Sequence, residues 1–388
     1  MATNQSLEQT VDEIFDTLVK SRFIEMFEKS DIPNKPLIEC CRFIDYRGKT
    51  PEKSESGIPL ITAKNVKDNH FSWEPREYIP SDNYDSIMVR GIPEINDVLF
   101  TTEAPLGNVC RIPQIEGKFC IGQRIITLQS KGELIPEYLE QALLSDSFRS
   151  QMISRSSGST VKGIRSAELE KIKIPIPDLE SQNQFAIFVN HVDKSKVICK
   201  QMVSRFDDLV KSRYVEMFGK LEKGSFKYPA CKLSDICDGR SSTIQINKMK
   251  DNDGEFPLFG ASGIVKKIDS FSQNKEYVGI VKDGAGVGRV SHYPAYSSLV
   301  GTMAYLVPKD NCTISYLEQT LKMMDLGNSS TGSTIPHIYF KDYGKTLIPL
   351  PPIDMQNKFE MFVKQVDKSK SALINFIAER LKFDSEVP

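Results

Sequence analysis

Two long segments of the chain carry apolar residues that recur every seven positions. In residues 181–218, one heptad position holds Phe185, Val192, Cys199 and Phe206, and a second holds Phe188, Met202 and Leu209, with Ser195 as a polar interruption. In residues 359–383, the same positions hold Phe359, Val366 and Leu373, and Phe362, Phe376 and Phe383, with Ser369 as the matching interruption. A period of 3.5 residues predicts two long helices that pack along their length as a coiled-coil pair.

A block of a different kind precedes each long helix. These blocks are rich in glycine, proline, serine and asparagine, and their apolar residues come in short runs such as DVLFTT (97–102), RIITLQ (124–129), YVGIVK (277–282) and MAYLV (303–307). Short β-branched and aromatic runs between turn-forming residues are typical of strands. We therefore predict two compact, strand-rich, mixed α/β domains.

The chain is an internal repeat. FDTLVKSRFIEMF (15–27) and FDDLVKSRYVEMF (206–218) are identical at ten of thirteen positions. IKIPIPDLESQNQFAIFVNHVDKSK (172–196) returns as TLIPLPPIDMQNKFEMFVKQVDKSK (346–370), SSGSTVKGI (156–164) as STGSTIPHI (330–338), and YLEQ occurs at 138–141 and 316–319. Such self-similarity indicates that one structural unit is written twice.

The repeat is cut inside one of its two units. The central unit runs unbroken from IPIP to KSRYVEMF, whereas the C-terminal unit stops near Phe383 and its missing end stands at the start of the chain as LVKSRFIEMF. We therefore predict a pseudo-two-fold α+β protein. Its predicted parts are an N-terminal helix that completes the C-terminal helical region (1–29), a first strand-rich domain (30–171), a central helical region (172–219), a second strand-rich domain (220–345) and a C-terminal helical region (346–388).

Composition excludes several classes of protein. Lys and Arg number 50 and Asp and Glu 51, so any nucleic-acid surface must come from segregation of charge within the fold. No apolar run is long enough to span a membrane, and the first residues do not form a signal peptide. The eight cysteines form no C-x-x-C pair, so we expect reduced thiols in a cytoplasmic protein.

Catalytic motifs are missing from the sequence. The four histidines have no metal-binding spacing, and neither a phosphate-binding GKS/T loop nor the Pro-Pro-aromatic motif of amino-methyltransferases occurs. KDGAGVGRV (282–290) imitates a nucleotide-binding loop, but strand-like sequence with Pro294 follows it, where such a loop should open a helix. We interpret it as a tight turn between strands and expect a protein that is not an enzyme and holds no cofactor or metal.

These motifs and their duplicated order resemble the specificity subunits of type I restriction-modification systems. The resemblance covers nearly the whole chain. It rests on the helix starts IPIPDLESQ and IPLPPIDMQ, the SGST and TGST segments, the KDGAGVGRV turn and RGKTP (47–51). Helix starts in that family often carry Glu-Gln, where this chain has Ser181-Gln182 and Met355-Gln356.

The resemblance implies both an architecture and a function. The strand-rich domains would be target-recognition domains, each reading one half of a two-part site in double-stranded DNA, and the long helices would pair antiparallel and fix the gap between the halves. Two methyltransferase subunits would dock on the helices, with restriction (helicase-nuclease) subunits outside them. S-adenosylmethionine, ATP and Mg²⁺ would then belong to the partners. The alternative is an orphan DNA-binding or coiled-coil scaffold protein without restriction partners.

Polar and basic residues beside glycine turns are the candidates for DNA contact, because phosphates and base edges are bound by such side chains. In the first domain they are Arg47, Lys49, Thr50, Lys64, Asn65, Arg124, Ser159 and Thr160, and in the second Arg240, Ser241, Lys282, Arg289, Ser333 and Thr334. SGST and TGST occur in both domains, which suits contact with the DNA backbone better than base reading.

Overall fold

The computed structural model shows an α+β protein with two compact units, which confirms the predicted fold class. The first unit is built mainly from Asp16–Lys194, and the second mainly from Ser195–Leu381 with the turns of the N-terminal helix before Asp16. The structure describes residues 4–28, 31–46, 51–158, 160–222, 226–249, 252–284, 286–329 and 337–386, without the side chains of 4–9, 328–329 and 382–386. No helix in these ranges is long and apolar enough to cross a membrane.

The first half of the chain runs from the N-terminal helix to a helix of forty residues. Its elements are α1 (Asn4–Phe23) with a π-helical turn (Ile24–Glu28), β1 (Asn34–Pro36), α2 (Leu37–Cys40), β2 (Cys41–Asp45), β3 (Ile58–Ile61), β4 (Val66–Lys67), β5 (His70–Phe71), β6 (Tyr78–Ile79), α3 (Tyr84–Ile87), β7 (Val98–Thr102), β8 (Leu106–Arg111), β9 (Cys120–Ile121), β10 (Ile125–Ser130), α4 (Pro136–Leu144), α5 (Asp146–Arg155), α6 (Ser166–Leu169), β11 (Lys173–Pro175) and α7 (Leu179–Phe218).

The second half repeats this order with fewer strands. Its elements are β12 (Ala230–Lys232), α8 (Leu233–Ile236), β13 (Cys237–Ser241), β14 (Phe256–Gly260), β15 (Gly263–Ile268), β16 (Tyr277–Val281), β17 (Val290–Tyr293), β18 (Ser298–Leu299), β19 (Met303–Pro308), α9 (Ile314–Met324), α10 (Phe340–Tyr343), β20 (Leu347–Pro349) and α11 (Ile353–Glu386).

Each strand-rich domain is built on a four-stranded antiparallel sheet. The strand order is β2-β10-β7-β8 in the first and β13-β19-β16-β17 in the second, and a three-stranded sheet accompanies each (β6-β3-β9 and β15-β14-β18). The central strands are buried along their whole length in β7 and β16. Burial on both faces explains why apolar and polar residues do not alternate along these two strands.

In the second unit, the C-terminal half of α7 runs antiparallel to α11. Lys370 Nζ lies 2.5 Å from Asp207 Oδ1, and the rings of Phe359 and Tyr214 lie 5.8 Å apart. Residue numbers therefore rise along one helix as they fall along the other. Lys370 is almost fully buried, so its pairing with Asp207 satisfies a charge that would otherwise be costly in the helix interface.

Part of the predicted heptad seam is wrong. Phe185, Val192 and Cys199 are buried as expected, but Met202 and Leu209 at the second predicted position are 38% and 47% exposed. The residues buried in their place lie one position later in the heptad: Val189, Val203 and Val210. In α11, Phe376 at the second predicted position is exposed, and the buried residue is Ile374, one position after Leu373 of the first predicted position. The apolar face is turned because α7 packs against its domain as well as against a helix, as the contact of Tyr138 with Phe185 shows.

Each unit contains four buried aromatic rings in equivalent positions. They are Phe23, Phe27, Tyr138 and Phe185 in the first unit, and Tyr214, Phe218, Tyr316 and Phe359 in the second. Ring centroids lie 4.9 Å apart for Phe27 and Tyr138 and 5.0 Å apart for Phe218 and Tyr316. The N-terminal LVKSRFIEMF thus supplies two rings, Phe23 and Phe27, to the aromatic cluster of the first unit. LVKSRYVEMF supplies the equivalent rings, Tyr214 and Phe218, to the cluster of the second unit. The domain boundaries themselves stay predictions.

The repeated glutamine of each helix start ties a long helix to its domain. Gln182 Oε1 accepts a hydrogen bond from the backbone N–H of Ile135, and its Nε2 donates to the carbonyls of Glu133 and Pro177, all at 2.9 Å. Gln356 does the same with the backbone N–H of Thr313 and the carbonyls of Asn311 and Pro351. Both side chains are fully buried. The origin of each long helix is therefore fixed at one end of its sheet.

Candidate nucleic-acid interface

The opposite end of each four-stranded sheet carries several of the described candidate DNA contacts, among them Arg124, Ser241 and Lys282. We call it the distal sheet end. In the first domain, it is where β2 and β7 finish and β10 begins, since Ile126 pairs with Asp45 and Ile125 with Thr101. In the second, Ser241 pairs with Ala304 and Val281 with Met303. The same three strand ends thus meet in both domains.

At the first distal end, Arg124, Glu103 and the SGST loop come together. Arg124 Nε lies 3.1 Å from Glu103 Oε1, and the Arg124 carbonyl accepts a hydrogen bond from Thr102. The Thr102 carbonyl in turn accepts from Ile164, which closes the loop that carries the exposed Thr160. Arg124 has φ +67°, a conformation that residues other than glycine seldom adopt. Its exposed guanidinium is thus held by a carboxylate at the sheet end.

At the second distal end, Lys282, Asp283 and His337 form a cluster. His337 Nδ1 lies 2.7 Å from Asp283 Oδ1, and Lys282 pairs with the other Asp283 oxygen. Burial alone would raise the pKa of Asp283, but Lys282 and His337 hold that pKa below its usual range. The backbone N–H of Ile338 donates to the Lys282 carbonyl, which joins the strand end to the segment after TGST.

The KDGAGVGRV segment is a turn between strands, as predicted. It connects β16 to β17, which pair antiparallel, and Val281 donates to the carbonyl of Arg289 across its base. Gly284, Gly286 and Gly288 all have φ near +84°, so the sharp turn needs glycine. Arg289 is exposed and donates from Nη1 to the Ala261 carbonyl at 3.2 Å. The turn thus presents an exposed arginine at its exit and leads into a strand rather than a phosphate-binding helix.

Arg240 and Ser241 lie on the last residues of β13, both exposed. The Arg240 guanidinium carbon is 5.5 Å from the centre of the Tyr305 ring, and Nη2 donates to the Ser272 carbonyl at 2.9 Å. The side chain is therefore fixed along the sheet face, with Ser241 at the strand end itself.

Two candidates of the first domain have other partners. Asn65 is 2% exposed. Its oxygen accepts from Thr62, and its nitrogen donates to the carbonyls of Ser72 and Pro75. Asn65 therefore organises its own loop, which corrects the expectation that it faces DNA. Lys64 is exposed and pairs with Glu77 at 3.0 Å.

Six candidates lie outside the described residues: Arg47, Lys49, Thr50, Ser159, Ser333 and Thr334. The description of the first loop stops at Tyr46, directly after β2. Sequence reasoning missed Glu103, Asp283 and His337. Only His337 could have been found from the sequence. The alignment of SSGSTVKGI with STGSTIPHI sets it against Gly163, which marks a chemical difference between the two domains.

No group of three or more histidine, cysteine or acidic side chains in the described ranges could hold a metal ion. The first distal sheet end holds the ion pair of Arg124 with Glu103, and the second holds the triad of Lys282, Asp283 and His337. Charge-assisted hydrogen bonds of this kind hold side chains in fixed orientations.

A family model described as "Type I restriction modification DNA specificity domain" matches the chain twice, over residues 37–202 and 227–382. The chain belongs to this family. Each match covers one strand-rich domain with the first part or most of the long helix that follows, so the internal repeat is a repeat of the specificity domain.

Two curated relatives are specificity subunits from Methanocaldococcus jannaschii. The chain is 25% identical over 183 residues to the type I restriction enzyme MjaVIII specificity subunit, covering 43% of this chain and 42% of that one. It is 31% identical over 97 residues to the putative type I restriction enzyme MjaX specificity subunit, covering 25% and 22%. The alignments thus span less than half the length of these relatives.

Solved structures of specificity subunits are similar over most of the chain. The S subunit of a type I restriction-modification system from M. genitalium is 16% identical, with a TM-score of 0.42 and coverage of 91% of this chain and 96% of that one. The HsdS subunit from Thermoanaerobacter tengcongensis is 18% identical, with a TM-score of 0.37 and coverage of 91% and 94%.

Proposed function

We propose that this chain is the non-catalytic DNA-specificity subunit of a cytoplasmic type I restriction-modification complex. It reads a two-part DNA target and positions methyltransferase and restriction subunits on it. The observation that carries the proposal is the double match of the specificity-domain family, one match for each strand-rich domain. Two target-recognition domains in one chain fit a DNA target that has two halves.

The chemistry of the two distal sheet ends supports reading of two different half-sites. The first presents an arginine held by a glutamate, and the second a lysine and a histidine held by an aspartate. Arginine recognises guanine edges and phosphates, whereas a lysine or histidine offers fewer, differently placed donors. The same framework with different donors would select different bases.

Identical exposed residues in the two helical copies support docking of two copies of one partner. Packing explains why apolar residues of FDxLVKSRxxEMF recur, but Lys20, Ser21 and Glu25 are exposed, as are their counterparts Lys211, Ser212 and Glu216. A shared partner would require the same surface twice. We propose that this partner is the methyltransferase subunit, which would bring S-adenosylmethionine, while restriction subunits would bring ATP and Mg²⁺.

The purified chain alone is expected to transfer no methyl groups and to cleave no DNA. Co-purified with the methyltransferase subunit of its own system, it is expected to direct adenine methylation to a two-part motif. Sequencing of methylated bases in plasmid DNA from cells with and without each subunit measures both results. Methyl transfer by the chain alone would contradict the proposal, and specific DNA binding without any methyltransferase partner would favour an orphan binding protein.

Arg124→Ala and Arg289→Ala are each expected to weaken binding of the complex to its target by about ten- to a hundredfold, the effect of losing one base or phosphate contact. Each should relax recognition in one half-site only. Binding to DNA libraries randomised in one half at a time measures this. Lys35→Ala is the matched control, because Lys35 is a half-buried cation that pairs with Glu133 at the end of the sheet away from the distal end. A loss shared equally by both halves would contradict the assignment.

A further inference from the structure

Arg111 and His292 occupy equivalent positions in the two sheets. The strand registers align Val98 of β7 with Val278 of β16. Arg111 of β8 lies opposite Val98, and His292 of β17 lies opposite Val278. Both therefore stand at the end of the sheet nearest the long helix, opposite to the distal end.

Arg111 joins three elements of the first unit. Its Nε lies 2.7 Å from Glu140 Oε2 and its Nη1 2.9 Å from Glu137 Oε1, both on α4. Its Nη2 lies 3.3 Å from Asp193 Oδ2 on α7. The backbone N–H of Arg111 also donates to Glu140 at 3.0 Å. One guanidinium thus ties the recognition sheet, its packing helix and the long helix together.

Glu140 is the buried carboxylate that the Arg111 guanidinium pairs with. Glu140 is the glutamate of YLEQ and is almost fully buried. Burial raises its pKa, and Arg111 counteracts that rise. Arg111 and its three acidic partners form a clamp with a defined orientation, because a guanidinium has fixed donor directions.

Within the described ranges, His292 does not connect its sheet to the neighbouring helices by ion pairs as Arg111 does. Its Nε2 lies 3.5 Å from Glu276 Oε2 and has no hydrogen-bond partner among the described residues. The second YLEQ glutamate, Glu318, pairs instead with Lys322 of its own helix at 2.7 Å. Burial works to raise the pKa of Glu318, but Lys322 and, less strongly, His292 bring it below the usual range.

A cavity of about 490 Å³ lies where the arginine clamp would be expected in the second unit. Besides His292 and Glu318, charged groups from three helices line it: Asp207 and Lys211 of α7, Lys322 of α9, and Asp367 and Lys370 of α11. Asp367 is the repeat counterpart of Asp193. Two of the three acidic partners of the clamp thus recur in the second unit as Glu318 and Asp367, whereas Ser315 stands at the place of Glu137. Lysines of the helices pair with these two carboxylates, and in the described part of the chain only the first unit joins them to the sheet through an arginine.

We propose that Arg111 is a positioning residue that fixes the orientation of the first recognition domain on its long helix, and that His292 leaves the second domain adjustable. This inference rests on the proposed function. A rotation of about 10° at a junction about 20 Å from the distal end, the length of a six-residue strand, displaces that end by about 3.5 Å. That displacement is close to one base-pair step of ~3.4 Å. The tightness of the clamp therefore sets how strictly the complex selects the spacer between the two half-sites.

The test compares binding of the assembled complex to DNA probes with the native spacer and with spacers one base pair shorter or longer. Arg111→Gln is expected to reduce the preference for the native spacer at least tenfold, while the bases selected in the second half-site stay the same. His292→Arg is expected to increase the preference, because the new guanidinium reaches Glu318 and Asp367. Arg76→Gln, at an exposed arginine, is the matched control.

The ratio between probes separates positioning from folding, because it does not depend on how much of the complex is active. If Arg111→Gln fails to fold, Arg111→Lys keeps the charge but cannot hold three carboxylates, and it should show the same loss of preference. An unchanged spacer preference in a variant that still binds overturns this inference alone. A wild-type complex with no two-part motif overturns the proposed function itself.

Discussion

Exchange of the first recognition domain for that of a related specificity subunit is expected to replace one half of the methylated motif and to leave the other half and the spacer unchanged. The physical reason is that the domain has its own core, formed around Ile44, Leu99 and Ile125. Its attachment to the long helix uses repeated groups, namely Gln182 and Tyr138. A domain that brings the same attachment groups should dock in the same way.

The exchange is best designed over residues 30–171, with an incoming domain that has an arginine at the position of Arg111 and the YLEQ glutamate. Methylated-base sequencing of plasmids gives the motif for each chimaera. Replacement of the second domain, residues 220–345, is the reciprocal control and should alter only the other half. A chimaera that changes both halves would show that the two domains do not read independently.

Phe27→Ala is expected to lower the free energy of unfolding by about 3–5 kcal/mol, which is typical for removal of a buried aromatic ring. Phe27 is 2% exposed, and its ring lies 4.9 Å from Tyr138 and 5.4 Å from Phe185. Because Phe27 belongs to the N-terminal helical segment, the loss should also release that segment from the first unit. Denaturant unfolding followed by circular dichroism, with protection of the segment from hydrogen exchange, measures both effects.

Phe218→Ala, at the equivalent place in the second unit, should cost a similar amount, since Phe218 packs 5.0 Å from Tyr316 and 5.4 Å from Phe359. Phe271→Ala is the control, because that ring is 41% exposed. A loss below about 1 kcal/mol for Phe27→Ala would mean that the aromatic cluster does not hold the N-terminal segment, whatever its geometry.

Much of the architecture could be predicted from the sequence because it depends on local patterns. The apolar period predicted the long helices, and short β-branched and aromatic runs between turn-forming residues predicted the strands. The glycine spacing of KDGAGVGRV, with Pro294 after it, predicted a turn between strands. The duplication of FDxLVKSRxxEMF predicted that the N-terminal segment carries the same groups as the end of the central helical region, and Phe23 and Tyr214 do take equivalent places in the two aromatic clusters.

Only the tertiary structure decided which helix faces are buried and which partners the polar side chains have. Met202 was assigned to the helix seam because it is apolar and correctly spaced, yet Val203 is buried in its place, since the domain packed on α7 turns the buried face. Asn65 was assigned to DNA because it is polar and lies near turns, yet its amide satisfies its own loop. Arg111 and His292 became equivalent only through strand pairing, because the register of β8 against β7 and of β17 against β16 sets them opposite matching residues. A sequence pattern determines that an element has an apolar or charged face, whereas what covers that face depends on residues that the fold brings from elsewhere in the chain.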